Sequence, residues 1–304
     1  MIHKEFFKVF KEPNFQVTAV DSQDRKYVWL TYCETKELLM EKLDEMYSNI
    51  RVKEYNFNDW RSRASIASTK AIVLVSEGKT PVFDSTIWGD LKTYLFELFS
   101  GKCAYCESSV CHISPGDVEH YRPKRKIAED GQHKGYYWLA YEPQNLLPVC
   151  EECNEARGKL THFPINGIRA CCPNDDLDAE ERLLLMPYLD YPRNELYFQP
   201  IPKGVPIDEL KDTVKGLTKR GEASTKIYHL NRRELVRRRA QAQKNIEDSL
   251  GLLLIKDLDK LQELWRQMYD GEIEYSSAAL AQAEYWWNEL NQRKLSAKGN
   301  HRLC

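Results

Sequence analysis

Two short runs decide how this chain is read: Cys103-Ala-Tyr-Cys106, and, after 43 intervening residues, Cys150-Glu-Glu-Cys153. A Cys-x-x-Cys knuckle presents two thiolates from one tight turn, and two knuckles complete a tetrahedral sulfur set for zinc, with Zn–S distances of roughly 2.3 Å. A redox Cys-x-x-Cys would occur once, near a strand–helix junction. Four thiolates leave no open coordination position, so this Zn²⁺ is expected to be structural. The segment between the knuckles is longer than the ~15–20 residues of the simplest zinc ribbon, so a sizeable insertion is held shut at its base. That insertion carries Asp117-Val-Glu-His-Tyr-Arg-Pro-Lys124 and then Tyr136-Tyr-Trp-Leu-Ala-Tyr-Glu-Pro-Gln-Asn145. The second knuckle runs straight into Asn154-Glu-Ala-Arg157-Gly-Lys159.

Outward from this frame, residues 101–169 crowd Gly, Pro, Cys, His and aromatic residues and lose helical periodicity, which predicts short strands, turns and one short helix. Residues 1–100 read as an α-rich region with a hairpin. Phe15–Val20 and Lys26–Tyr32 are β-rich runs around a turn-like Asp21–Asp24. A helix follows a Thr35 cap through Leu39, Leu43 and Met46, and two more span Asn58–Val75 and Thr86–Phe99. Residues 170–304 return to helix. Glu234–Tyr269 forms one long or broken helix with a weak point at Gly251, and Ser276–Leu290 forms another. The fold class is α+β, mostly α.

The 304 residues carry 44 basic and 46 acidic side chains, a net charge of -2, so no global basic field draws the chain onto nucleic acid and any such binding is local. No apolar run approaches the ~18–20 residues of a membrane span, and the first residues lack a signal-peptide core. A cytoplasmic location is expected. Nine cysteines, an odd number, in a reducing compartment point to metal ligation rather than a disulfide framework.

An acidic residue beside a His, an Asn some way on, and an Asn directly after a second knuckle form a set that resembles the HNH nucleases, whose ββα-metal fold is a hairpin and a helix around a divalent cation. Each element alone is weak: an adjacent Glu–His pair is ordinarily solvated surface, a lone Asn a turn former or helix cap. The resemblance implies His120 as general base, Glu119 and Asn154 as ligands of a catalytic Mg²⁺ or Mn²⁺, and Asn145 as the residue that orders the loop and aims the base. The sequence departs from the commonest pattern in having Glu rather than Asp before the His and Asn rather than His after the last Cys. Hard oxygen ligands suit Mg²⁺ or Mn²⁺, and a histidine with a pKa of about 6.5 can take a proton near neutral pH. Phosphodiester hydrolysis leaving 5′-phosphate and 3′-hydroxyl ends is the implied reaction.

The strings CAYCE, VEHYRPK, YYWLAYEPQNLLPVCEECN and RGK, with Leu183–Asp190 and Gly221–Arg233 downstream, look like the HNH nuclease component of Septu-type and retron-associated antiphage systems. The resemblance covers roughly residues 96–239. It implies an ABC-like ATPase partner and a defence role. The rival readings are a non-catalytic zinc nucleic-acid-binding subunit and a scaffold subunit of such a complex.

Arg122, Lys124, Arg157 and Lys159 are the candidate phosphate-gripping residues, with Arg125 and Lys126 beside them. A second basic cluster, Arg232, Arg233, Arg237, Arg238 and Arg239, opens a helix against its macrodipole. It either tracks a nucleic-acid backbone or pairs with acidic residues such as Asp175–Glu181 or a partner. Cys111 and His112 are left out of the zinc set, Cys171 and Cys172 are core or unassigned, and Tyr136, Tyr137, Trp138 and Tyr141 are read as module core.

Overall fold

The structure, a computed structural model, describes residues 15–20, 26–31, 50–54, 57–154 and 158–300. Phe15–Val20 (β1), Lys26–Thr31 (β2) and Ile50–Glu54 (β3) form an antiparallel sheet in the order β2-β1-β3, with Phe15 opposite Thr31 and Val20 opposite Lys26. The helix expected after Thr35 lies outside the described residues.

Three helices follow: Phe57–Ser76 (α1), Ser85–Gly89 (α2) and Lys92–Leu98 (α3). The single helix expected over Thr86–Phe99 is therefore two. Asp84 caps α2 by accepting from the Thr86 amide, and Gly89, a poor helix former by about 1 kcal/mol, is its last residue. On α1, Trp60, Ala64, Ala71 and Val75 are buried at helical spacing, and Trp60 Nε1 donates to the Ile87 carbonyl at 2.6 Å. These helices close over the back of the knuckle segment: Trp60, Ile87, Tyr94 and Leu95 share a cluster with Tyr141 and Leu146.

The segment between the knuckles folds around one hairpin, Asp117–His120 (β4) against Leu146–Val149 (β5), in register Asp117↔Val149 and His120↔Leu146. Glu151–Asn154 (α4) comes next. All four β5 residues are buried, and the Pro148 carbonyl accepts from the Ala104 amide at 2.8 Å, tying the first knuckle to the hairpin. Gly135, at φ 83°, lets the long connection fold back: a Cβ there would lie 1.7 Å from the Arg125 carbonyl oxygen.

Beyond the knuckles come Pro192–Glu195 (α5), the hairpin Leu196–Phe198 (β6) with Val214–Gly216 (β7), then Lys219–Ile227 (α6), Arg233–Lys256 (α7), Leu258–Tyr269 (α8) and Ser276–Asn300 (α9). The break in the long helix is at Asp257, not Gly251. Asp257 leaves helical geometry and its side chain accepts from the Lys260 amide, capping α8, while Gly251 sits inside a continuous α7.

One hydrophobic cluster runs from the knuckle cysteines through Tyr121, Tyr136 and Phe163 to Leu184, Tyr228, Leu235 and Tyr275. The hairpin segment and the C-terminal helices thus share a core. Buried hydroxyls stitch it: Tyr188 donates to the Leu146 carbonyl at 2.6 Å and Tyr121 to that of Leu184 at 2.5 Å. Lys102, also buried, donates to the carbonyls of Gly271 and Ile273, between α8 and α9. Tyr136, Tyr137, Trp138 and Tyr141 are all buried core residues. No helix among the described residues is long and apolar enough to cross a membrane.

Candidate functional site

The two knuckles meet. The sulfurs of Cys103, Cys106, Cys150 and Cys153 all lie within 4.8 Å of one another, and Cys106 Sγ to Cys150 Sγ is 3.8 Å. A tetrahedron with arms of roughly 2.3 Å has edges of about 3.8 Å, so the sulfur set fits zinc and could hold one. Burial pushes the Cys103 thiol well up, and hydrogen bonding to Cys103 does the same for Cys153. Four crowded, part-desolvated thiols are an unfavourable arrangement that a central dication relieves. Cys111 and His112 stay outside this set. Cys171 is exposed rather than core, and its amide and that of Cys172 donate to Asp175.

A strand's side chains alternate, so Asp117 and Glu119 share one face of β4 and His120 projects from the other. On its face His120 is almost fully buried. Its Nε2–H donates to the Ala140 carbonyl at 2.9 Å, which fixes the tautomer and leaves Nδ1 as the acceptor. Lys124 Nζ sits on that Nδ1 at 3.2 Å and over the Trp88 ring at 4.8 Å, while Trp88 meets the imidazole edge-on. Burial, reinforced by the Lys124 charge, pushes the His120 pKa down to about 3. The imidazole is neutral across the physiological range. Burial also lowers the Lys124 ammonium from its ordinary value.

Asn145 pins the chain just past His120. Its Oδ1 accepts from the Arg122 amide at 2.7 Å, and its Nδ2 donates to the carbonyls of Arg122 and Leu139. It is buried.

On the other face, Glu119 Oε1 accepts from Lys159 Nζ at 2.8 Å, and the same ammonium donates to the His120 carbonyl at 3.0 Å. Lys159 is 0% exposed, so this cation, expected to grip a phosphate, is instead the internal counter-ion of Glu119. The reason is local. Gly158 passes so close to α4 that a Cβ would lie 2.2 Å from the Cys153 carbonyl oxygen, and the Lys159 amide donates to that same carbonyl, turning the lysine under the hairpin. Asn154 Nδ2 donates to Asp117 Oδ2 at 3.2 Å, leaving the amide oxygen on its other arm. Asp117 is a carboxylate that the motif reading passed over, although its two-residue spacing from Glu119 on a strand puts both on one face.

Arg122 is also internal. Its Nε donates to Glu180 Oε2 at 2.8 Å and its guanidinium lies over Phe163. Glu180, fully buried, further accepts from the Tyr136 hydroxyl and the Ala170 amide. Arg157 lies outside the described residues. Arg125, stacked over Phe83, and Lys126, which follow in the chain, are exposed.

The arginine cluster divides. Arg232, the residue before α7, directs its guanidinium at the sulfurs of Cys106 and Cys153, 3.6 Å from each, and of Cys150 at 3.9 Å. Arg239 is buried, donating to Thr213 Oγ1 and the Leu230 carbonyl. Arg237 and Arg238 are exposed and pair with Glu234, and Arg237 also with Asp208. Of the alternatives for this cluster, pairing with Asp175–Glu181 is not found among the described residues: Glu180 is taken by Arg122, and Asp175 by the Cys171 and Cys172 amides.

No protein-family model matches the chain, and no solved structure does. Septu protein PtuA of Bacillus mycoides is 34% identical over 157 residues, half of this chain and 20% of that protein. Septu protein PtuB of Bacillus thuringiensis is 27% identical over 48% of this chain and 44% of its own length. Septu protein PtuB of Bacillus mycoides is 35% identical over 215 residues, 69% of each chain, and on that match this protein belongs to the Septu PtuB family.

Proposed function

We propose that the chain is a metal-dependent HNH endonuclease, the nucleic-acid-cutting component of a Septu antiphage defence complex. The observation that carries the reading is the succession of β4, a loop pinned by Asn145, β5 and α4, which puts Glu119 and His120 at one strand end and Asn154 on the helix after the second knuckle. In this reading His120 is the general base. Its Nε2 is anchored to the Ala140 carbonyl, so Nδ1 is the atom that accepts a proton from water. Lys124 covers Nδ1 at rest. An arriving phosphate draws the ammonium to itself, clears Nδ1 for water and removes a charge that depresses the imidazole's basicity. Glu119, Asn154 and Asp117 are the oxygen donors for Mg²⁺ or Mn²⁺, which when bound would neutralise charge on the phosphate and the leaving oxygen. Arg125 and Lys126 are the open cations for neighbouring phosphates. The similarity to Septu proteins PtuA and PtuB supports a multi-protein assembly, and the family resemblance of the sequence implies that the partner is an ABC-like ATPase.

A second reading, a non-cutting zinc subunit, draws on the same Lys124 and Lys159 contacts, which occupy the base and the carboxylate. One experiment separates the two. Plasmid DNA and total tRNA are incubated with the protein under Mg²⁺, Mn²⁺ or EDTA, with and without the ATPase. Metal-dependent cutting that falls about 10²–10⁴-fold in His120→Ala is expected. No cutting under any condition, or wild-type cutting by His120→Ala, would overturn the nuclease assignment.

A further inference from the structure

Arg232 is out of place by ordinary rules. It stands at the positive end of a helix, where a cation opposes the macrodipole, and makes no side-chain cap. Its guanidinium turns instead to the sulfurs of Cys106 and Cys153 at 3.6 Å and of Cys150 at 3.9 Å.

The anomaly resolves on a count of charge. Four thiolates around Zn²⁺ carry a net charge of −2. A buried dianion is costly unless cations meet it. The Arg232 guanidinium, delivered at the start of α7, offsets part of that charge. A planar fork that reaches three sulfurs at 3.6–3.9 Å is what arginine offers and lysine does not.

We propose that Arg232 is a charge complement of a zinc tetrathiolate, forked over its sulfurs so that the start of α7 is a built part of the metal centre. This rests on the zinc reading of the four cysteines. Donors on the sulfurs draw electron density from them, which makes the thiolates poorer nucleophiles and retains the metal. Arg232 is a positioning residue for the zinc, far in sequence from both knuckles and absent from any ligand motif.

The test uses the full chain. Zinc transfer to a chromophoric chelator and the rate of cysteine alkylation by iodoacetamide are measured for wild type, Arg232→Gln, Arg232→Lys and, as a control, the exposed neighbour Arg233→Gln. Arg232→Gln should weaken zinc retention by about 10–100-fold, the usual consequence of losing a second-layer partner, and speed alkylation. Arg232→Lys should recover part of both, since it keeps charge without the fork. Arg233→Gln should match wild type. Retention and alkylation in Arg232→Gln equal to wild type would overturn the proposal, as would an equal loss in Arg233→Gln. Wild-type protein with no sulfur-bound metal would overturn the zinc reading itself, and that result is seen before any variant is made.

Discussion

The β4–β5 hairpin has a polar centre at each end, and the two are finished in different ways. At the knuckle end four sulfurs converge within 4.8 Å of one another, and the guanidinium of Arg232 meets them from outside the set. At the His120 end the important atoms already have internal partners: Lys124 on Nδ1 and Lys159 on Glu119. A dication fits among the sulfurs. At the His120 end, the substrate and metal proposed above would have to compete with two lysines. One end is organised to hold, and the other is organised so that binding must rearrange it.

The sharpest way to break this contrast is to remove a sulfur. Cys153→Ser should abolish zinc binding. Apparent zinc binding energies in small sites run to about 10–16 kcal/mol, as large as the whole stability of an ordinary domain. Because Cys153 lies in the main hydrophobic cluster, the loss should appear as failure to fold, read by circular dichroism and zinc content. A folded, monomeric Cys153→Ser protein would show that the knuckle end is not the staple.

At the other end the corresponding test is Lys159→Met. It strands the buried Glu119 carboxylate, which typically costs about 3–5 kcal/mol. The double variant Glu119→Gln with Lys159→Met should regain much of that, because no buried charge then lacks a partner. Denaturant titration of the two proteins measures it. A single variant as stable as wild type would mean that the ammonium is not the counter-ion of Glu119.

These contrasts also mark where sequence reasoning reaches. The sulfur set is legible because its spacing is the geometry: each knuckle is one turn. His120 and Asn145 are singled out by their order in the resembled motif. The lysines are not, because a sequence shows charge but not burial, and the turn at Gly158 that takes Lys159 inward leaves no mark on composition. Arg232 lies 126 residues from Cys106, so no local pattern connects them. Propensity alone points to Gly251 for the helix break, while the chain breaks at Asp257, where a side chain can cap the next helix.

The buried imidazole gives a pH signature. With its pKa near 3 in the folded chain and about 6.5 unfolded, the unfolded state binds one more proton between those values. Stability therefore rises with pH through that window and levels off above about 7, with a slope from this group of up to ~1.4 kcal/mol per unit. Urea midpoints for wild type and His120→Gln between pH 5.5 and 7.5 should differ in slope by a fraction of that. Parallel curves would mean that the imidazole titrates normally and that Lys124 does not press on it.

The smallest expected effect sharpens the comparison by dividing one cluster. Arg237 and Arg238 belong to the same basic run as Arg232 and Arg239 but face solvent, paired with Glu234 and Asp208, which are themselves mostly exposed. Exposed pairs at helical spacing contribute about 0.5 kcal/mol or less. Replacing both with Gln should leave melting, zinc content and alkylation rate close to wild type. If these two residues served the zinc centre through the field of the whole run, they would share part of the Arg232→Gln effect. A change beyond ~1 kcal/mol, or faster zinc loss, would assign the charge complement to the run as a whole. Their outward faces are then the part of the cluster left to meet a partner or a nucleic-acid backbone. A salt titration of nucleic-acid binding, with a slope lowered by about 0.9 for each phosphate contact removed, tells those two apart.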